Sequence, residues 1–426
     1  MKHQHSERGQ VFVLIILAIV AIFGFVAIAV DGGRIYAERR RAQSAADASA
    51  MAAAFAAMEG RDWSQAAMQL VQENDFNDTH PGVENDKRMD VHIHYPPISG
   101  PYTGDDEYYQ VFIRSKVNQI FSQIVWRGQM EVTVEAVAHA RPSRNIYPGH
   151  AMVATSEHAC NAVDFSGSGD TYINGGNIFS NSDGTGNCAS GRQNGGGAIK
   201  VDNGDILTVG DWVTKGGSGD VSPNPHDEGN IDKLKSRDYP MPDCYTGVPA
   251  RSQATYSGTQ VLEPGRYTGI KITNGDWKMK PGMYCFTSTG FEFNGGSLTG
   301  SGVVLMVLGG DVSVNGSGKI SLNAPSNLRD GGGTQWAGML INMPESNRGG
   351  IDLAGGSGAT YTGTILAPGE RSSSKPKCTF GGNSGSIGLA SNIICNTVQV
   401  TGTAGVTIYY KPEANFKLPP SVDLSQ

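Results

Sequence analysis

Residues 262–284 read LEPGRYTGIKITNGDWKMKPGMY, in which Pro264-Gly265-Arg266-Tyr267 returns as Pro281-Gly282-Met283-Tyr284 seventeen residues later. Between the copies lie short strand-like runs broken at Asn274-Gly275. A corner motif recurring at that interval marks a chain that winds in turns, each burying itself against its neighbours. The pattern continues outward. Short β-branched runs at 302–308, 311–314, 319–322, 350–353, 361–366 and 397–400 alternate with loops such as Asn294-Gly295-Gly296 and Asn315-Gly316-Ser317-Gly318. Strands of this length between glycine clusters, with few helix signals, read as all-β. Residues 153–411 are therefore expected to form a right-handed parallel β-helix, with a β-sandwich as the alternative. Glycine is expected at tight corners that need positive φ. Residues 223–225 (Pro-Asn-Pro) and 238–242 mark an extended insertion covering one flank.

Composition separates this region from the rest of the chain. Of 58 glycines in 426 residues, 48 lie beyond residue 160. The 33 basic and 40 acidic side chains give a net charge of −7, which leaves no basic surface for nucleic acid. All six cysteines (Cys160, Cys188, Cys244, Cys285, Cys378, Cys395) lie in the glycine-rich part, with no C-x-x-C among them. Even, widely spaced cysteines on such a scaffold read as disulfides outside the reducing cytosol. Neighbouring pairs, 160–188, 244–285 and 378–395, are the expected connectivity out of fifteen.

Residues 11–30 read VFVLIILAIVAIFGFVAIAV, without a charge or a hydrogen-bonding side chain. Twenty helical residues span about 30 Å, the thickness of a bilayer's hydrocarbon core. Val11, Phe12, Leu17, Phe23 and Val30 are thus membrane-facing candidates. Residues 1–10 would be a cytoplasmic N-terminus, because the cysteines outweigh the positive-inside pull of Arg34, Arg39, Arg40 and Arg41. Ten of the sixteen residues 42–57 are alanine, so residues 31–75 read as a smooth helical stalk with flex points at Gly32-Gly33 and Gly60. Ala42, Ala46, Ala50 and Ala53 are candidates for close helix packing.

Arg8-Gly9-Gln10, the apolar run with Gly24, Val30-Asp31-x-Gly33-Arg34 and Gln43-x-Ala45-Ala46-Asp47-Ala48 resemble the N-terminal segment of TadE/TadG-like Flp (tight adherence) pilus-assembly proteins, over about residues 6–58. The resemblance implies a bacterial envelope protein anchored in the inner membrane, most of it outside the cytoplasm, with other pilus-apparatus subunits as partners. Ile15 occupies the position of a prepilin's early glutamate if cleavage followed Gly9, which speaks against prepilin processing. The Leu262-x-Pro-Gly-x-Tyr267 and Met279-x-Pro-Gly-x-Tyr284 strings resemble glycine-rich domains of pilus-associated proteins.

Residues 85–142 read as a small pilin-like α+β module. It has a strand over 90–95, a strand over 108–116, an amphipathic helix carrying Val117, Ile120, Phe121, Ile124 and Val125, and a strand over 131–140. His92-x-His94 reads as a solvated strand face. Residues 143–152 are expected as a linker and 412–426 as a tail.

Nucleophile-elbow, phosphate-loop, dinucleotide and zinc-protease motifs are missing from the sequence. No catalytic residue, metal or cofactor is expected. Asp205, Asp211, Asp276, Glu292, Asp311 and Asp352 would matter only if two of them met on one face. Trp212, Trp277 and Trp336 are candidate contacts to surface glycans or a partner. The expected role is a non-enzymatic, membrane-anchored component of a Tad/Flp-type pilus or related surface apparatus, adhesive through its β region. The alternative is a membrane-tethered β-helix enzyme acting on carbohydrate.

Overall fold

The computed structural model describes residues 8–76, 89–117, 119–121, 128, 130–215, 217, 219–226, 233, 239–251, 255–256, 260–326, 334–355, 358–382 and 385–425. The chain forms two compact units, one from Met1–Ser143 with Pro419–Gln426 and the other from Arg144–Leu418.

The first unit opens with α1 (Arg8–Met58), a single 51-residue helix that runs unbroken through Gly32 and Gly33. It stops at Gly60, whose φ of +69° suits a residue without Cβ. There the Arg61 and Gly60 amides turn back onto the Ala56 and Ala57 carbonyls. Asp62 then caps α2 (Trp63–Glu73) by accepting from the Gln65 amide at 3.0 Å. A four-stranded antiparallel sheet orders Met89–His94, Tyr108–Val117, Met130–Arg141 and Ser421–Ser425 side by side. Alternating Val111, Ile113, Val132, Val134 and Ala136 face the alanine stripe of α1 across one core. Small side chains let the helix lie close to the sheet.

Two expectations change here. Val117 ends a strand and residues 119–121 are not helical, and the rest of the helix read over 117–125 lies outside the described residues. The expected tail carries a strand, Ser421–Ser425, which pairs with Met130–Arg141 because its backbone completes that sheet edge.

The second unit is mostly β, with parallel sheets of ten and seventeen strands enclosing one core. The larger sheet holds two interleaved parallel ladders, so successive strands fall into three ladders and each pairs with the corresponding strand one turn away. Apart from the pair Arg144–Asn145 with Lys417–Leu418 and an isolated Gly382–Ala404 bridge, its described pairings are parallel, unlike the antiparallel ladders of a sandwich. The residues expected as a linker, 143–152, contribute to the unit. Ile146 and Tyr147 are buried, and His150–Ala154 is a ladder strand.

Spatial order departs from chain order. Thr171–Asn174 lies between Ile199–Asp202, the next turn in sequence, and Val406–Tyr409, from the last turn. The chain thus starts winding inside the stack and proceeds to one end at Val221–Ser222. It resumes at the other end near Gln260–Leu262 and winds back to meet its own beginning. These two ends of the ten-stranded sheet lie about 43 Å apart at ordinary strand spacing. Residues 239–251, between those ends in sequence, lie on the outside of one ladder. There Pro240 accepts from the Asn342 side chain, and Cys244 joins the covered cluster of Val304, Met306, Met339 and Leu366.

The repeated tyrosines explain the Pro-Gly-x-Tyr motif. Tyr267 and Tyr284 donate their hydroxyls to the carbonyls four residues earlier, Glu263 at 2.5 Å and Lys280 at 2.8 Å, so each ring closes its own corner. Glycine elsewhere answers to crowding more than to φ. A Cβ on Gly195 would stand 1.9 Å from the Gly167 carbonyl oxygen, and one on Gly167 would stand 2.5 Å from that of Gly402. Corners stacked at strand spacing leave no room for a side chain.

Candidate functional site

In the first unit, α1 carries residues 11–30 with nothing packed on them. Val11 is 56% exposed, Phe12 70%, Leu17 60%, Phe23 64% and Val30 38%. The only helix among the described residues apolar and long enough to cross a membrane is this one. The run ends at Asp31, which is buried, its two carboxylate oxygens accepting from the Ile120 amide at 3.0 Å and the Phe121 amide at 3.1 Å. A carboxylate bonded to two backbone donors fixes the sheet unit to the helix where the apolar run stops. Gln43 bonds Asp47 one turn on and the Glu135 carbonyl on the sheet. Both motifs singled out in the sequence therefore join α1 to its own sheet.

Ala42, Ala46, Ala50 and Ala53 are fully buried against that sheet and α2. Their close packing is on the unit's own sheet and on α2. His92 stacks on His94 at 6.0 Å and pairs with Asp90 at 2.9 Å. Among the described residues no three His, Cys, Asp or Glu gather as a metal site would need.

In the second unit the six cysteines form the disulfides Cys160–Cys188, Cys244–Cys285 and Cys378–Cys395. Two of them brace a cleft of about 620 Å³. It opens along the corner where strands of one ladder hand over to the next. The handover between Ile393–Cys395 and Val398–Gly402 takes only Asn396 and Thr397, whereas the turns stacked beside it, 155–162 and 368–377, are longer. The short turn is the floor and the long ones are the walls. Cys160–Cys188 ties turn 155–162 to the next wall, and Cys378–Cys395 crosses at the floor. The Ser156 amide donates to the Asn396 carbonyl at 3.0 Å, and the Lys377 amide donates to the Thr397 hydroxyl at 2.8 Å. Tyr147 and Tyr239 meet through their hydroxyls at 2.9 Å on the lining.

The charges around the cleft are held by one another. His158 lies 2.9 Å and Lys233 3.0 Å from Asp183, and these hydrogen bonds keep the Asp183 carboxyl below its usual range. Arg348 pairs with Glu370 at 2.9 Å. Arg371, its side chain 9% exposed, reaches Asp352 at 2.9 Å and Asp311 at 3.2 Å. Asp311 and Asp352 are thus the candidate acids that the fold brings together, but a guanidinium stands between them. An acid–base pair needs one carboxyl raised and free to give a proton. Behind Arg371 lies Lys377, wholly buried, its ammonium donating to the Asn347 and Gly349 carbonyls at 2.6 and 2.7 Å. Burial first, and the Arg371 charge second, pull its pKa down to about 8.

Trp277 and Trp336 are buried, at 2% and 6% exposure, so neither offers a flat surface for stacking on a sugar. Trp277 fills the core inside the stack and Trp336 the covered cluster outside one ladder, because a large apolar ring gains more buried than exposed. Trp212 is half-buried and covers Gly191, where a Cβ would strike the ring at 2.3 Å. The cleft residues had no local signature, since the cleft arises from unequal lengths of turns far apart in sequence.

Residues 9–58 match the family model described as "Tad: Putative Flp pilus-assembly TadE/G-like". No curated protein and no solved structure gives a significant match. The matched segment is α1 itself, including Asp31 and Gln43.

Proposed function

We propose that this protein is a membrane-anchored structural component of a Tad/Flp-type pilus or related surface apparatus. In this reading residues 11–30 cross the inner membrane and the disulfide-bearing unit stands on its non-cytoplasmic side, where it adheres to a partner or a surface. The observation that carries the reading is the uncovered apolar run of α1, closed by the buried Asp31 and lying inside the segment that matches the pilus-assembly family. Three disulfides favour an oxidising compartment. The reading is non-enzymatic, because the acids gathered on the second unit are neutralised by Arg371. We take the winding of the ladders as right-handed, the hand that parallel β connections adopt almost without exception.

Carbonate extraction followed by protease treatment of spheroplasts tests the reading. The full chain should stay with the membrane pellet, and the C-terminal unit should be degraded from outside. Release by carbonate, or protection of that unit until the membrane is broken, would refute it.

A further inference from the structure

We propose that the cleft over Asn396 and Thr397 is a binding site for an uncharged oligosaccharide. The proposal rests on the reading of the C-terminal unit as the part that meets a partner, and names what it meets.

Size and rigidity come first. About 620 Å³ lies within the range of small-ligand sites. Two disulfides and the floor hydrogen bonds hold the walls, so a ligand entering pays little to order them.

Chemistry selects the class. The lining presents hydroxyls and amides from Thr155, Ser156, Asn181, Ser373, Asn396 and Thr397. Such groups both give and take hydrogen bonds, as a polyol does. The lining charges Glu157, Glu370 and Arg371 each already face an opposite charge of the same unit, and the His158 ring faces Asp183 at 2.9 Å. Glu345 and Lys375 add one of each sign. An anionic ligand would meet only Lys375, and a cationic one only Glu345, among the lining residues, a single exposed charge against the hydration lost on entry. Tyr239, half-buried on the lining, adds aromatic surface against which a sugar ring can lie, and the buried Tyr147 hydroxyl holds it at 2.9 Å.

The test uses the full chain in lipid nanodiscs, with saturation-transfer NMR and titration. The probes are maltotriose and triacetylchitotriose as neutral trisaccharides and trigalacturonate as an anionic one. Asn396→Trp fills the floor, and Ser373→Trp narrows the exposed rim in case the first variant fails to fold. Thermal unfolding reports folding. We expect at least one neutral probe to bind, and its Kd to rise tenfold or more in a folded variant. Silence from both neutral probes, binding unaffected by the variants, or binding of trigalacturonate alone would overturn the proposal. Membrane retention and protease accessibility are read separately, so a failure here is distinct from a failure of the anchoring.

Discussion

The Lys377 ammonium donates to the Asn347 carbonyl at 2.6 Å, so one buried cation fastens turn 368–377 to turn 343–350, two walls of the same cleft. It faces Arg371 and Arg348, which oppose its charge, and Asp311, which favours it, while burial dominates. Its pKa of about 8 lies below the ordinary 10.5. Below pH 8 both folded and unfolded chains carry the proton, and the folded state bears the full cost of a buried charge. Between pH 8 and 10.5 the unfolded chain binds a proton that the folded one lacks, so this group makes stability climb with pH across that window. Thermal unfolding at pH 7 to 10.5 should show the rise in the wild type, and the difference curve against Lys377→Met should isolate it.

Asp31 supplies two acceptors to backbone donors in a buried place. Asp31→Ala leaves the Ile120 and Phe121 amides without them and should cost about 1–3 kcal/mol in the first unit. Asp31→Asn, which keeps one acceptor oxygen, should cost less. Calorimetry of the purified protein should show the transition of the first unit moving while that of the second stays.

Ala46 and Ala50 are fully buried where α1 packs on its sheet. Leucine at either position overfills that space and should destabilise the first unit by about 1–3 kcal/mol. Gly32→Leu, at a site where a Cβ would meet nothing within 4 Å, is the control and should leave the transition in place.

Cys244–Cys285 closes 41 residues and Cys378–Cys395 closes 17. On loop entropy alone, opening the first should cost about 4 kcal/mol and the second about 3. Denaturant unfolding of Cys244→Ser and Cys378→Ser compares them, and Cys244→Ser should also speed proteolysis near residues 239–251, the segment this bond holds against its ladder.

Gly195 and Gly196 are neighbours with opposite surroundings. A Cβ at 195 meets the Gly167 carbonyl oxygen at 1.9 Å, and one at 196 meets nothing within 4 Å. Gly195→Ala should force the stacked corners apart and lower the second unit's unfolding temperature by several degrees, whereas Gly196→Ala should leave it within about 1 °C.

Much of this architecture was legible in residues that act locally. The apolar run of 11–30, the Pro-Gly-x-Tyr repeat and the cysteine spacing each carry their meaning within a few dozen positions. What depends on distant pairing was not legible. Nothing near Thr171–Asn174 announces that Val406–Tyr409 will lie beside it, and the cleft exists only because turns from both ends of the second unit's sequence are stacked there. The alanine stripe and the tryptophans were ambiguous for a related reason. A small or a large apolar side chain signals close contact without saying whether the contact is internal, and Ala46 and Trp277 are both internal.

The strand order has a consequence for biosynthesis. The ribosome finishes His150–Ala154 and Thr171–Asn174 early, yet their neighbours on one side, Ile393–Cys395 and Val406–Tyr409, are among the last residues made. Until then those early strands present a bare hydrogen-bonding margin to the cell, open to chaperones or to the wrong partner. A nascent chain interrupted anywhere before residue 393 keeps that margin, so a prematurely terminated product is distinguishable from a finished one by its unpaired seam alone.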